Sequence, residues 1–160
     1  MHMWVIKLPC LWMMKCFKLK IMKLLEKIKE IYDNHCKWEK LIVPEGYKTF
    51  YDYVDKNKGT DLVKKYFPEN GDSYLFDKYR DIILKGWYGF SLGQPIHNEW
   101  IEFLDKILEL LRDSDPTFRI QQIKIKYGGV RFYCSSDNIE DLGDIEGFII
   151  DNLHDDNLIY

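Results

Sequence analysis

The chain has 160 residues and a mass of 19.3 kDa, the size of one domain or of one domain with an appendage. Apolar residues make up 46% and charged residues 31%, which suits a packed core and excludes intrinsic disorder, while 16% aromatic residues point to aromatic packing or an adhesive face. A net charge of −3 argues against a general nucleic-acid binder, and the composition excludes collagen, coiled coil and disulfide scaffold.

Residues 1–21 are basic and aromatic, with Lys7, Pro9, Lys15, Lys18 and Lys20 breaking up the apolar run. That run is too interrupted to span a bilayer, and it lacks the unbroken stretch and small-residue cleavage site of a signal peptide. Two readings stay open: an interfacial anchor built on Trp4, Trp12 and the lysines, or an extension upstream of a fold that starts near Met22. Either way a cytoplasmic protein is expected, with a single α+β domain over 22–160 divided into a helical part (22–72) and a motif-bearing part (73–160). Cys10, Cys16, Cys36 and Cys134 form no Cys-x-x-Cys pair, so they read as free thiols rather than zinc ligands.

Ile21, Leu24, Leu25, Ile28, Ile31 and Tyr32 recur at helical spacing, which predicts an amphipathic helix over 21–33 ended by Asn34. Residues 37–43 are short and apolar, and Pro44-Glu45-Gly46 turns the chain. Thr49 is placed to cap a helix carrying Phe50, Tyr53 and Val54, closed by Asn57-Lys58-Gly59. Thr60 or Asp61 caps a second, with Leu62, Val63, Tyr66 and Phe67, stopped at Pro68. Ser73 is expected to cap a third, running through Leu75, Phe76, Tyr79, Ile82 and Ile83 to a C-cap at Gly86. The period then changes to two: Tyr88, Phe90 and Leu92 share one side of a strand over 87–92. Asn98 caps the strongest helix, 99–112, whose apolar residues cover more than half its circumference. Strands follow over 118–127 and 130–135, then a helix capped by Asp137 or Asn138, in which Gly143 and Gly147 are spaced for close approach to a neighbour. The expected fold is α+β: a small three-stranded antiparallel sheet packed with helices, behind a helical N-terminal half.

Gly128-Gly129 between two β-rich runs predicts a two-residue hairpin turn, since a type I′ turn needs positive φ at both positions. The register that follows sets Lys126 opposite Arg131 and Ile125 opposite Phe132. One face then carries Ile123, Ile125, Tyr127, Val130, Phe132 and Cys134. The other carries Lys124, Lys126, Arg131 and Tyr133, with like charges opposed, which is mildly destabilising. Either a carboxylate or water meets these cations, or they form an anion site beside Tyr133 and Trp87.

The segment Gln122-Ile123-Lys124-Ile125-Lys126-Tyr127-Gly128-Gly129-Val130-Arg131-Phe132-Tyr133 resembles the Q-x-K-E-K-[FY]-G-G-[LV]-R-F-Y core of a family of small uncharacterised phage and bacterial proteins. Gly86-Trp87 and the helix 99–112 are similar to segments of the same family, and the likeness covers roughly residues 73–150. Ile125 stands where the family has Glu, and the Cys-rich tail of many members is not seen here. The resemblance implies a fold and a phage or bacterial origin, and no activity.

Catalytic patterns are weak. Cys134 falls on the apolar face, His97 suits a surface or capping role, and Asp151, His154, Asp155 and Asp156 read as a frayed tail. No phosphate-binding loop, dinucleotide motif or zinc-protease motif occurs, so neither an enzyme, a cofactor nor a metal is expected. Charge is divided: residues 1–80 hold 16 basic and 11 acidic side chains, residues 81–160 hold 7 and 15. Two functions fit. One is a non-catalytic binding protein of phage or mobile-element type that inhibits or sequesters a host or toxin protein or a signal, presenting acid to a basic partner. The other is a nucleotide- or phosphate-binding module, or weak enzyme, on Lys124, Lys126, Arg131, Tyr133 and Trp87.

Overall fold

The structure, a computed structural model, describes residues 24–36, 44–48, 50–68, 71–92 and 96–154. The proposed extension 1–21, the apolar stretch 37–43, the cap at Thr49, Cys10, Cys16, Asp155 and Asp156 lie outside the described residues. The elements run α1 (residues 24–35), α2 (Phe50–Lys56), α3 (Asp61–Tyr66), α4 (Gly71–Lys78), a 3-10 turn (Arg80–Ile82), β1 (Gly89–Ser91), α5 (Asn98–Ser114), β2 (Arg119–Lys126), β3 (Gly129–Ser135) and α6 (Leu142–Asn152). This is an α+β fold with a three-stranded sheet and a helical N-terminal half. No helix among the described residues is long and apolar enough to cross a membrane.

The core is organised by α5. Trp100, Ile101, Phe103, Leu104, Ile107, Leu108 and Leu111 are all buried, the wide apolar arc that its sequence spacing predicts. They form one cluster with Phe90, Ile120, Ile123, Val130 and Phe132 from the sheet and Ile145 and Ile149 from α6. The α1 helix joins through Leu24, Ile28 and the ring of Tyr32. That ring packs edge-on against Phe103 at 5.6 Å and Phe148 at 5.5 Å, tying α1 to both α5 and α6. Val54, Val63 and Phe67 make a separate small cluster under α2 and α3.

The sheet order is β1-β2-β3, and only the β2–β3 pair is antiparallel. β1 pairs parallel to β2, with Phe90 beside Ile123, so the sheet is mixed rather than antiparallel throughout. The reason is the connection: α5 crosses over between β1 and β2, as parallel neighbours require. β1 is also shorter than expected. Phe90 and Leu92 are buried, but Tyr88 is 76% exposed, because Gly89 at φ 65 breaks the alternation.

The hairpin register differs by one residue on each strand. Lys126 pairs with Gly129, Ile125 with Val130, Lys124 with Arg131 and Ile123 with Phe132. The turn is therefore Tyr127-Gly128, with φ of 54° and 74°, instead of Gly128-Gly129. Moving both strands by one keeps the residues that remain in the strands on their predicted faces, so Ile123, Val130 and Phe132 still point into the core. Tyr127 leaves the apolar face and becomes 80% exposed at the tip. Gly129 serves a different need: the chain after α6 returns to its strand edge. Val130 N–H donates to the Leu153 carbonyl at 2.9 Å, and a Cβ on Gly129 would stand 2.9 Å from His154 Cδ2. Upstream, Gln121 is an extra residue between the pairs Ile120–Cys134 and Gln122–Tyr133, which lets Ile120 and Ile123 both face inward.

Several caps also shift. Thr60 caps α3 as expected, its hydroxyl accepting from Val63 N–H at 3.4 Å. Ser73 lies inside α4 rather than capping it, and Gly86 sits in a turn beyond the 3-10 segment. The first residue of α5 is Asn98, and the N-cap is His97. The last helix starts at Leu142, not at 137–138, because Ser136 Oγ already accepts from the N–H groups of Asn138 (3.1 Å) and Ile139 (2.8 Å) in a separate turn. Gly143 and Gly147 meet nothing within 4 Å of a built Cβ, so their spacing makes no close approach.

Candidate functional site

The alternation of β2 and β3 that sends Ile123 and Phe132 inward sends Gln122, Lys124, Arg131 and Tyr133 to the opposite face. Lys124 and Arg131 are direct cross-strand neighbours, replacing the Lys126–Arg131 pair of the expected register. Both are half-buried, while Lys126 is exposed near the tip. None of the three forms an ion pair among the described residues. Among the described residues no carboxylate pairs with Lys124 or Arg131 to offset their opposition.

Two of the cations instead lie over aromatic rings. Lys124 Nζ is 5.4 Å from the centre of the Tyr133 ring, and Lys126 Nζ is 5.1 Å from that of Tyr127. Tyr133 is partly exposed, and Gln122, its cross-strand partner, donates from Nε2 to Ser91 Oγ on β1 at 2.9 Å. The face is thus a strip of cations, two rings and an amide–hydroxyl pair. Trp87 does not join it. It is 52% exposed on the loop before β1, its N–H held by the Leu84 carbonyl at 3.1 Å, and among the described residues no ring contact links it to Tyr133.

The remaining polar clusters are built inward. Asp115 is buried where α5 turns into β2. It accepts from Thr117 N–H (2.9 Å), from the Thr117 hydroxyl (2.8 and 3.0 Å), from Asn138 Nδ2 (2.8 Å) and from the Ser136 hydroxyl. Burial alone would raise its carboxyl, but the donors from Ser136, Asn138 and Thr117 outweigh that and hold it well below the usual carboxylate range. Asp115 was not singled out by sequence, although Asp-Pro-Thr is the pattern of a side chain bonding the backbone two residues on. Asp105, half-buried on α5, accepts from Tyr79 Oη at 2.6 Å and Tyr74 Oη at 3.0 Å and pairs with Lys78 at 2.8 Å. Both clusters join elements of the fold and leave no reactive group open.

The suspected catalytic residues have structural surroundings. His97 is 3% exposed, ring-to-ring with Tyr66 (5.8 Å) and Phe67 (5.4 Å), and its Nδ1 accepts from Glu99 N–H at 3.2 Å. Burial lowers its pKa to about 4, so the ring is neutral at pH 7. Cys36 and Cys134 are free thiols, both pushed up by burial and therefore poor nucleophiles. His154 is not in a frayed tail: its Nε2 lies 3.0 Å from the Tyr127 carbonyl, bracing the hairpin tip. Among the described residues no group of three or more His, Cys, Asp or Glu could hold a metal ion.

In comparisons with known proteins, no family model, no curated protein and no solved structure matches the chain.

Proposed function

We propose that this chain is a non-catalytic binding protein, cytoplasmic and of phage or mobile-element type, that inhibits or sequesters an anionic partner on the outer face of its β2–β3 hairpin. The observation that carries the reading is the facing pair Lys124 and Arg131 with no described carboxylate beside it. Like charges placed directly opposite weaken a sheet. A partner that brings negative charge converts that cost into binding energy, and an Arg fork beside a Lys suits carboxylate or phosphate oxygens. Small-molecule sites are usually concave. A pleated hairpin face favours an extended partner over the phosphorylated small molecule that the sequence also allows.

A second reading has its own support. Asp137, Glu140, Asp141 and Asp144 are all exposed around the start of α6, an acidic surface suited to the basic site of a host or toxin protein. A basic peptide that bound and was released by neutralising these four residues would favour it.

The main reading is tested by fluorescence anisotropy at low salt, titrating the protein into labelled polyglutamate and labelled polyphosphate. Binding to at least one is expected, weakened by Lys124→Gln and by Arg131→Gln. No binding to either, or binding that ignores both substitutions, overturns it.

A further inference from the structure

Resting on the reading just given, we infer that the anionic partner of the hairpin is a single strand of nucleic acid, whose bases stack on Tyr127 and Tyr133 while its phosphates lie on Lys124, Lys126 and Arg131. Any polyanion would satisfy the cations alone. The rings are what narrow the choice, because each exposed ring is paired with its own lysine: Tyr133 with Lys124 at 5.4 Å, and Tyr127 with Lys126 at 5.1 Å. A single strand repeats one flat base and one phosphate at every step, and a stacking ring beside a cation is the matching unit. An acidic peptide offers carboxylates but no plane at each step.

The charge is local. Residues 116–136 contain Arg119, Lys124, Lys126 and Arg131 and no acidic side chain, whereas the whole chain carries −3. A net-acidic molecule is poorly suited to coat duplex DNA, which rewards many phosphate contacts at once. A short strand laid along one hairpin makes no such demand. The tip geometry supports the same use. Tyr127 holds a large ring in the left-handed region, at φ 54, and 80% exposed, a conformation that costs a non-glycine residue stability. Its carbonyl is fixed by His154 Nε2 at 3.0 Å, so the ring is presented from a braced turn. At the far end of the same face, beyond the Lys124–Arg131 pair, Gln122 and Ser91 place an amide and a hydroxyl next to Tyr133, groups able to meet the edge of a stacked base.

The test uses the full chain and four labelled probes of matched length at low salt: oligouridylate, an abasic sugar–phosphate strand, polyphosphate and polyglutamate. Oligouridylate is expected to bind tightest. Tyr127→Gly removes the ring while suiting the backbone conformation, so the fold is retained. It should weaken oligouridylate about five- to a hundred-fold, the range for losing one base stack, and leave polyphosphate unchanged. Tyr133→Leu should do the same, and Lys126→Gln should reduce the slope of log affinity against log salt by about 0.7. If the abasic strand or polyphosphate binds as tightly as oligouridylate, or if Tyr127→Gly changes nothing, the nucleic-acid inference falls and the anionic face stands. If polyglutamate binds tightest, the partner is an acidic protein segment and the inference falls. If no probe binds, both the inference and the reading beneath it are overturned.

Discussion

Replacing Gly129 by alanine tests the register of the hairpin, and with it the placement of every cation on its outer face. A Cβ at this position stands 2.9 Å from His154 Cδ2 and 3.5 Å from the Leu153 carbonyl oxygen. Carbon atoms settle at about 3.5–4.0 Å, so the imidazole must retreat by roughly half an ångström or more. It has little freedom to do so, since Nε2 is engaged with the Tyr127 carbonyl at 3.0 Å and Val130 N–H holds the Leu153 carbonyl at 2.9 Å. Overpacking of this kind costs about 1–3 kcal/mol. The loss of a glycine from the unfolded chain returns about 0.4–1 kcal/mol, because the φ of Gly129 is not in the left-handed region. A net loss of about 1–2 kcal/mol is expected in urea denaturation. In a His154→Ala background the clash is gone, and the same substitution should be neutral or slightly stabilising. Gly128→Ala, by contrast, should cost about 1–2 kcal/mol in either background, because its φ of 74° is what matters there. An equal cost of Gly129→Ala with and without the imidazole would refute the close-approach reasoning and favour a Gly128-Gly129 turn.

Two further outcomes follow from the buried polar groups. Asp115→Ala leaves the donors of Thr117, Ser136 and Asn138 without their acceptor and should cost roughly 3 kcal/mol in denaturant melts, far above an ordinary surface change. Its carboxyl is held low in the folded state, so the stability it supplies is present above about pH 4 and is lost as the pH falls further. His97 acts in a separate window. With its pKa lowered to about 4 against about 6.5 unfolded, the unfolded chain binds more protons between those values, so stability falls as the pH is taken from 6.5 to 4. His97→Asn keeps a capping side chain and should flatten the dependence across that window; an unchanged slope would mean that His97 is not the group responsible.

The periodic elements were legible in the sequence for simple reasons. The broad apolar arc of α5 and the alternation of Ile123, Ile125, Val130 and Phe132 each state which side is buried, and those faces survive in the structure. What periodicity does not carry is pairing. Shifting a hairpin by one residue on each strand preserves every face, so the sequence pattern was equally content with Lys126 or Lys124 opposite Arg131. The deciding contact comes from Leu153 and His154, over twenty residues away, which need the space that Gly129 leaves. Strand direction was missed for a related reason: three short strands are compatible with several sheet orders, and it is the placement of α5 as a crossover that makes β1 parallel. Ile120 escaped the apolar set because the extra residue Gln121 interrupts the two-residue period. Of the candidate site, the basic face of the hairpin was readable from alternation alone. Trp87 was not separable from it, since a loop residue has no periodicity to assign it a face.

The most direct measurement is the melting temperature of Arg131→Glu. Lys124 and Arg131 face each other, and among the described residues neither forms an ion pair with a carboxylate. Glutamate at this position turns a like-charge pair into an opposite-charge pair, which is favourable by about 0.2–1 kcal/mol. The variant should melt at the same temperature as the parent or up to about 4 °C higher, while losing its affinity for polyanions. A drop approaching that of the core truncation Phe132→Ala, about 3–5 kcal/mol, would show that Arg131 is held in a stabilising network and is not kept for a partner.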